Sequence, residues 1–128
     1  MRKALIVDDE KKIRDVYRKF LTREGFKVLE AENGEEAGLQ LIQEDKIDLV
    51  LLDIRMPVVS GAVLFDLIKL RNPGSKVIVA SVFPLEDQRR VIDTADGYFD
   101  KSDGPEELFS RIKNIFSQGS RIVVTERG

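Results

Sequence analysis

The stretch Ile47 to Gly61 reads I-D-L-V-L-L-D-I-R-M-P-V-V-S-G and decides the fold. Leu49 to Leu52 form a continuous apolar run, which is typical of a strand buried on both faces of a parallel sheet. Asp53 follows at the point where the run stops and the chain must leave the sheet. Pro57 prevents the strand from continuing, and Gly61 opens the next helical pattern. The stretch therefore predicts a core strand that ends in a fixed carboxylate.

Short apolar runs and helical patterns alternate along the rest of the chain. Strand-like runs occupy residues 4–7, 28–31, 77–80 and 97–99, and helical spacings of apolar residues separate them. This alternation calls for right-handed crossovers and a parallel sheet covered on both faces. The runs at residues 4–7, 49–52 and 77–80 are wholly apolar and belong in the centre of the sheet. We predict an α/β fold: a (βα)5 flavodoxin-like three-layer sandwich with a five-stranded parallel sheet in the order 2-1-3-4-5.

Local signals predict where individual helices begin and which residues they bury. Asn33, followed three residues later by Glu36, is typical of an N-cap pair at the start of the second helix. The apolar spacing of that helix predicts that Ala37, Leu41 and Ile42 are buried. Between residues 84 and 94 apolar residues are sparse, so we expect a small or irregular fourth helix.

The length of 128 residues fits one compact domain with a single core. We place this domain at residues 1–119 and interpret residues 120–128 as a C-terminal tail or the start of a linker. Residues 121–125 have strand propensity but no obvious partner strand. Residues 120–128 are too few for a DNA-binding or catalytic domain, so we expect either a stand-alone protein or a part of a longer one.

Composition excludes several classes of function. The net charge is −2, with 21 basic and 23 acidic residues, which argues against a nucleic-acid surface and against a polybasic membrane anchor. The chain has no cysteine and no histidine, so disulfides, thiolate metal sites and histidine catalysis on this chain are excluded. The N-terminal run is too short for a signal peptide or a membrane span. We expect a soluble, cytoplasmic protein.

Polar residues follow the predicted strands at one edge of the sheet: Asp8, Asp9, Asp53, Ser81 and Lys101. Ligands of open parallel sheets bind outside the carboxyl ends of the strands. Three neighbouring carboxylates repel one another unless a cation intervenes, and Mg²⁺ is the natural cation for oxygen ligands. The ammonium and the hydroxyl can hold phosphoryl oxygens, and an ionised Asp53 is a potential nucleophile. The pattern therefore predicts phosphoryl chemistry assisted by Mg²⁺.

Four ordered motifs resemble the receiver domain of bacterial two-component response regulators. They are V-D-D-E at 7–10, L-L-D-I-R-M-P at 51–57 followed by Gly61, V-I-V-A-S at 77–81 and Y-F-D-K at 98–101, within a similarity that spans about residues 3–118. The resemblance implies phosphorelay signalling, in which Asp53 accepts phosphate from a partner sensor histidine kinase or phosphotransfer protein. It implies a switch rather than an enzyme, with only self-phosphorylation and autodephosphorylation chemistry.

The resemblance also implies a role for each site residue. Mg²⁺ is the expected cofactor, bound directly by Asp9, mainly through water by Asp8, and also by Asp53 and the backbone carbonyl of Arg55.

Two further residues are expected to hold the phosphoryl oxygens, namely Ser81 and Lys101. Tyr98 matches the aromatic residue that turns inward when Ser81 moves towards the phosphate. For Tyr98, packing at the surface is an equally good interpretation.

Several positions depart from the pattern of the family. Ser102 follows Lys101 where the family usually has proline, which leaves the loop that aims Lys101 open to change. Val82 stands where the family favours alanine or glycine, and its bulk is expected to narrow access to Asp53. Arg55 and Phe83 flank the phosphoryl position, where we expect them to obstruct the attacking water and to make the phosphorylated form long-lived.

Other functions were weighed against this interpretation. The main alternative is a pseudo-receiver, a protein-binding module of the same fold that works without phosphorylation. Aspartate-nucleophile phosphatases place a second acid where this chain has Arg55, and a flavin-binding loop would not contain Asp8, Asp9 and Glu10. We expect no direct contact with nucleic acid or membrane. The output partner or missing effector domain is unknown, and a phosphorylation-dependent dimer is compatible with the pattern.

Overall fold

A computed structural model describes residues 1–55 and 60–127, with side chains described as far as residue 117. The prediction for Pro57 lies outside these residues. The five strands are β1 (Lys3–Val7), β2 (Lys27–Ala31), β3 (Leu49–Leu52), β4 (Lys76–Ser81) and β5 (Gly97–Asp100). The five helices are α1 (Lys11–Arg23), α2 (Gly34–Gln43), α3 (Gly61–Arg71), α4 (Leu85–Val91) and α5 (Pro105–Arg127).

All neighbouring strands are parallel, and their order in the sheet is β2-β1-β3-β4-β5. Val7 pairs with Leu52 in the register of β1 and β3, so Asp8 and Asp53 leave the sheet side by side. Ser81 pairs with Asp100 at the ends of β4 and β5. The predicted α/β fold and strand order are confirmed, and they bring the polar residues of four strand ends to one edge.

The sheet has an apolar core on each face. Leu5, Val50 and Leu52 pack with residues of α2 and α3 on one face. Leu49 and Leu51 pack on the other face with residues of α1 and α5. Alternate residues of β3 therefore enter opposite cores, which explains why Leu49–Leu52 is apolar at every position.

The structure confirms the predicted cap of α2. The Asn33 side chain accepts a hydrogen bond from the Glu36 N–H at 2.8 Å, and the Glu36 carboxylate accepts one from the Glu32 N–H at 2.9 Å. The prediction that Ile42 is buried was wrong, because 59% of the residue is exposed on the outer side of the helix. The other two residues predicted to be buried by this helix, Ala37 and Leu41, are fully buried.

Helix α4 contains seven residues, as the sparse apolar pattern predicted. Helix α5 continues through Arg127 and includes residues 121–125. The strand propensity of that segment is overridden, because a strand here would need a neighbour with which to pair its backbone. Among the described residues, no helix has the combined length and apolar character that crossing a membrane requires.

Candidate functional site

A cleft of about 470 Å³ opens at the carboxyl ends of the strands. Its lining residues come from the loops after β1, β3, β4 and β5: Asp9, Glu10, Asp53, Ile54, Arg55, Val82, Phe83 and Lys101. Strand order alone explains this arrangement, since β1 lies between β2 and β3 and the chain reverses its direction of winding there.

Asp53 is the buried carboxylate at the floor of the cleft, with 5% of the residue exposed. Its own N–H donates to the Val7 carbonyl at 3.0 Å, which extends the pairing of β1 and β3 by one residue. One carboxylate oxygen, Oδ1, accepts the Arg55 N–H at 2.9 Å. The other, Oδ2, accepts the Lys101 ammonium at 3.0 Å. Both oxygens are thus held in a fixed orientation.

Lys101 connects the two buried carboxylates of the site. Its Nζ lies 3.0 Å from Asp53 Oδ2 and 2.5 Å from Asp8 Oδ2. The Lys101 backbone N–H donates to the Ser81 carbonyl at 2.8 Å, which fixes the start of the loop after β5. The predicted convergence of Asp8, Asp53 and Lys101 on one edge is therefore observed.

The electrostatics of the site follow from burial and from this shared cation. Burial raises the pKa of the Asp53 carboxyl above its ordinary value, while the Arg55 N–H and the Lys101 ammonium oppose that rise. Burial alone would lower the pKa of Lys101, but hydrogen bonding to Asp8 and the charge of Asp53 outweigh it, so the pKa is raised. Lys101 therefore stays an ammonium ion between the two acids.

Asp8, Asp9 and Glu10 form an acidic cluster beside Asp53. One carboxylate oxygen from each lies within 4.8 Å of the others, with Asp8 buried and the other two exposed. A set of carboxylate oxygens that is open to solvent on one side suits a hard divalent cation such as Mg²⁺, which keeps several of its waters. Glu10 was not predicted as a site residue, although its place in the motif V-D-D-E was a usable signal.

Ser81, a predicted site residue, does not line the cleft. It is fully buried, and its Oγ accepts a hydrogen bond from the Phe83 N–H at 3.2 Å. Val82 and Phe83 line the cleft in its place, and Val82 is 49% exposed there. The Ser81 hydroxyl is therefore bound within its own loop and is not part of the cleft lining.

Comparison with known proteins identifies the family. The sequence model of one protein family, the response regulator receiver domain, matches residues 4–125 of this chain. The chain belongs to the response regulator receiver domain family. It is 31% identical to the transcriptional regulatory protein CusR of Escherichia coli over 124 residues, which are 95% of this chain and 54% of that protein. The chain thus spans about half the length of the curated relatives it matches.

Solved receiver domains have the same fold. A CheY-like receiver domain from Methanospirillum hungatei superposes with a TM-score of 0.80 at 31% identity, covering 94% of this chain and 98% of that one. The response regulator TrrA of Thermotoga maritima, solved in complex with Mg²⁺ and BeF, gives 0.77 at 34% identity and covers 89% and 98%. TrrA was also solved with the histidine kinase ThkA, with a TM-score of 0.76, 34% identity and coverage of 89% and 97%.

Tyr98 lies inside this receiver domain rather than on its surface. Its hydroxyl donates to the Ile92 carbonyl at 2.7 Å and accepts the Ala95 N–H at 3.1 Å. The guanidinium carbon of Arg89 lies 4.9 Å from the ring centroid, a distance at which a cation is attracted to the ring face. These contacts explain why the Tyr98 side chain points into the domain. A role of Tyr98 in switching stays a prediction.

Ser102, in the position where the family usually has proline, has a local structural role. Its N–H and its Oγ donate to the Asp100 carboxylate at 2.9 and 2.7 Å. These bonds lower the pKa of the Asp100 carboxyl. The turn that follows Lys101 is therefore closed by side-chain hydrogen bonds in this receiver domain.

Gln88 is a buried polar residue near the site that sequence reasoning missed. It lies in α4 and is fully buried. Glutamine is usually a surface residue, so its identity carries no signal of burial. The usable signal was its place between Leu85 and Ile92, both of which pack on the core.

Proposed function

We propose that this receiver domain is a phosphorylation-dependent signalling switch with Asp53 as its phosphoacceptor. The observation that carries the proposal is the state of the Asp53 side chain. It is buried, both of its oxygens are held by donors, and it faces an open cleft bordered by acids that suit a metal ion. A nucleophile that is oriented before its substrate arrives needs little reorganisation to react.

In the proposed step, an Asp53 oxygen attacks the phosphorus of a phosphohistidine on the partner kinase. The new P–O bond forms as the P–N bond breaks, and the imidazole nitrogen keeps the electron pair of the broken bond. The Lys101 ammonium, 3.0 Å from Asp53 Oδ2, is within reach of the transferred oxygens. Ser81 Oγ would leave the Phe83 N–H and donate to a phosphoryl oxygen, so that the β4–α4 loop changes with phosphorylation.

Mg²⁺ is the proposed cofactor. Asp9 would bind it directly and Asp8 mainly through water, with Asp53 and the backbone carbonyl of Arg55 as further ligands. When bound, the ion would neutralise charge on the carboxylates and on the phosphoryl oxygens. The exposed oxygens of Asp9 and the all-oxygen composition of the cluster support this assignment.

The proposed partner is a sensor histidine kinase or a phosphotransfer protein. The structure of TrrA with the kinase ThkA supports this class of partner for a receiver of the same fold. Relatives such as CusR are about twice as long as this chain and are transcriptional regulatory proteins. We therefore propose that the output is exerted through an effector domain or a separate partner. In this proposal the receiver occupies residues 1–119 and lies in the cytoplasm, and residues 120–128 are a C-terminal tail or the start of a linker.

A pseudo-receiver is the second candidate, and one observation favours it. Ser81 Oγ faces the Phe83 N–H rather than the cleft, while Val82 occupies the cleft wall. If that arrangement were permanent, the domain would bind partners without accepting phosphate.

Incubation with acetyl phosphate and Mg²⁺, followed by intact mass measurement, separates the two candidates. The switch predicts a gain of one phosphoryl group, which disappears in Asp53→Asn. Asp66→Asn is the matched control, because Asp66 is an exposed acid on α3; it should keep the gain. Absence of any gain, with acetyl phosphate and with a phosphorylated kinase, would establish the pseudo-receiver.

A further inference from the structure

Gln88 places an uncharged amide in the interior between α4 and the sheet. It is fully buried, and it lies seven residues after Ser81 at the far side of the β4–α4 loop. An amide in such a place is stable only if its polar atoms find partners. Its contacts therefore identify what the residue does.

The Gln88 amide nitrogen is bonded to backbone carbonyls on two different elements. Nε2 lies 2.8 Å from the Phe83 carbonyl in the β4–α4 loop and 2.9 Å from the Phe99 carbonyl in β5. The Ser81 carbonyl is a weaker third neighbour at 3.4 Å. Since an amide nitrogen carries two hydrogens, the two short contacts use its full capacity. Gln88 thus ties the loop that carries Ser81 and Phe83 to the strand that leads to Lys101.

The amide oxygen has no partner. Gln88 Oε1 is buried and accepts no hydrogen bond from any described residue. Exchanging the two ends of the amide would not help, because all three neighbours are carbonyls and can only accept. The arrangement therefore leaves one polar atom unsatisfied. This lowers the free-energy cost of changing to another conformation of the loop.

The same loop binds the Ser81 hydroxyl, and Ser81 does not line the cleft. Ser81 Oγ accepts the Phe83 N–H, while the Phe83 carbonyl accepts Gln88 Nε2. Both polar groups of the Phe83 backbone are thus fixed, one by Ser81 and one by Gln88. The Ser81 Oγ can turn to the cleft only if it gives up its bond with the Phe83 N–H. Gln88 opposes a movement of Phe83 because it holds the Phe83 carbonyl.

We propose that Gln88 is a positioning residue that holds the β4–α4 loop in its resting conformation, in which Ser81 Oγ is bound to the Phe83 N–H. Its consequence for phosphoryl binding rests on the proposed function. Replacing Gln88 by methionine, which is unbranched and of similar length, removes both hydrogen bonds. The Phe83 and Phe99 carbonyls then lack a donor and can recover a hydrogen bond only from water. The fraction of domains with a released loop therefore rises.

Two measurements on the same chain test the proposal. The first is hydrogen exchange of the Phe83 amide without any ligand, because this N–H is protected only while the loop is closed. The second is a titration with beryllofluoride and Mg²⁺ followed by NMR, since apparent affinity scales with the fraction of competent protein. In Gln88→Met we expect both the exchange rate and the apparent affinity to rise about fivefold or more.

The controls lie in the same helix and in a distant one. Glu86→Gln changes an exposed residue of α4 and should alter neither measurement. The Leu64 amide, which donates to the Ser60 carbonyl at 3.1 Å in α3, should exchange at an unchanged rate in Gln88→Met. If Gln88→Met does not fold, Gln88→Asn is used, whose shorter amide cannot reach both carbonyls.

Each outcome decides the proposal. Faster exchange at Phe83 together with tighter beryllofluoride binding supports it. An unchanged exchange rate of the Phe83 amide in Gln88→Met overturns the proposal. Faster exchange with unchanged or weaker beryllofluoride binding also overturns it, because Gln88 would then serve packing alone. Failure of both Gln88 variants to fold likewise means that the role of Gln88 is packing. If even the wild-type chain binds no beryllofluoride, the proposed function fails, and exchange at Phe83 alone decides whether Gln88 positions the loop.

Discussion

Replacing Lys101 by methionine removes the ammonium that contacts both buried carboxylates of the site. The side chains of Lys101, Asp8 and Asp53 are 7%, 2% and 6% exposed, so solvent screens their charges poorly. Unit charges 3 Å apart interact by about 5 kcal/mol at an effective dielectric constant of about 20. Removing one partner of a buried pair typically costs about 3–5 kcal/mol. We expect Lys101→Met to lose about 3–5 kcal/mol of unfolding free energy near neutral pH.

The loss should depend on pH, with a sign that follows from Asp53. Burial already raises the pKa of this carboxyl, and Lys101 is one of the groups that oppose the rise. Without Lys101 the folded-state pKa is higher still, so the folded protein binds a proton more tightly than the unfolded chain does. A group of this kind stabilises the fold in acid, and that contribution is lost as the pH rises through its folded-state pKa. The cost of the substitution should therefore shrink as the pH is lowered.

Urea unfolding of the wild type and the variant, at about pH 7.5 and about pH 5, measures both effects. Lys11→Met is the matched control, because Lys11 forms an exposed ion pair with Asp15 at 3.1 Å. Such pairs contribute about 0–1 kcal/mol. A loss in Lys101→Met no larger than in Lys11→Met, or one that grows on acidification, would refute the reasoning.

The remaining predictions concern the β3–α3 connection and the cleft wall. A Cβ at Gly61 would lie 2.8 Å from the Ile54 Cα, so Gly61→Ala should lower the unfolding free energy by about 1–3 kcal/mol in urea titrations. Gly74→Ala should be near neutral, because nothing lies within 4 Å of its Cβ position, and equal effects would contradict the packing account. Truncating both Arg55 and Phe83, which line the cleft, should speed phosphate release about tenfold. An unchanged release rate of phosphate would refute the predicted obstruction of water.

The strands and their order were predictable because burial on two faces leaves a clear pattern. Leu49–Leu52 is apolar at every position since alternate residues enter opposite cores. Once β1 and β3 are neighbours, the side-by-side placement of Asp8 and Asp53 follows from parallel pairing alone. Lys101 joins them because β5 ends at the same edge.

Other features depend on choices that sequence patterns do not encode. Ala37, Leu41 and Ile42 all fit the predicted apolar face of α2, but the packing of the helix buries the first two and leaves Ile42 exposed. The orientation of the Ser81 hydroxyl depends on one rotatable bond and on the path of the following loop. Gln88 lies in the core although its type is typical of surfaces.

Locating the phosphoryl group on the chain tests the central claim most directly. The loaded protein is reduced with borohydride, which converts an acyl phosphate on an aspartate side chain into homoserine, and its peptides are sequenced by mass spectrometry. We predict a single converted position, Asp53, and conversion that depends on added Mg²⁺. Conversion at Asp8 or Asp9 instead, or a phosphorylated protein in which Asp53 stays intact, would contradict it.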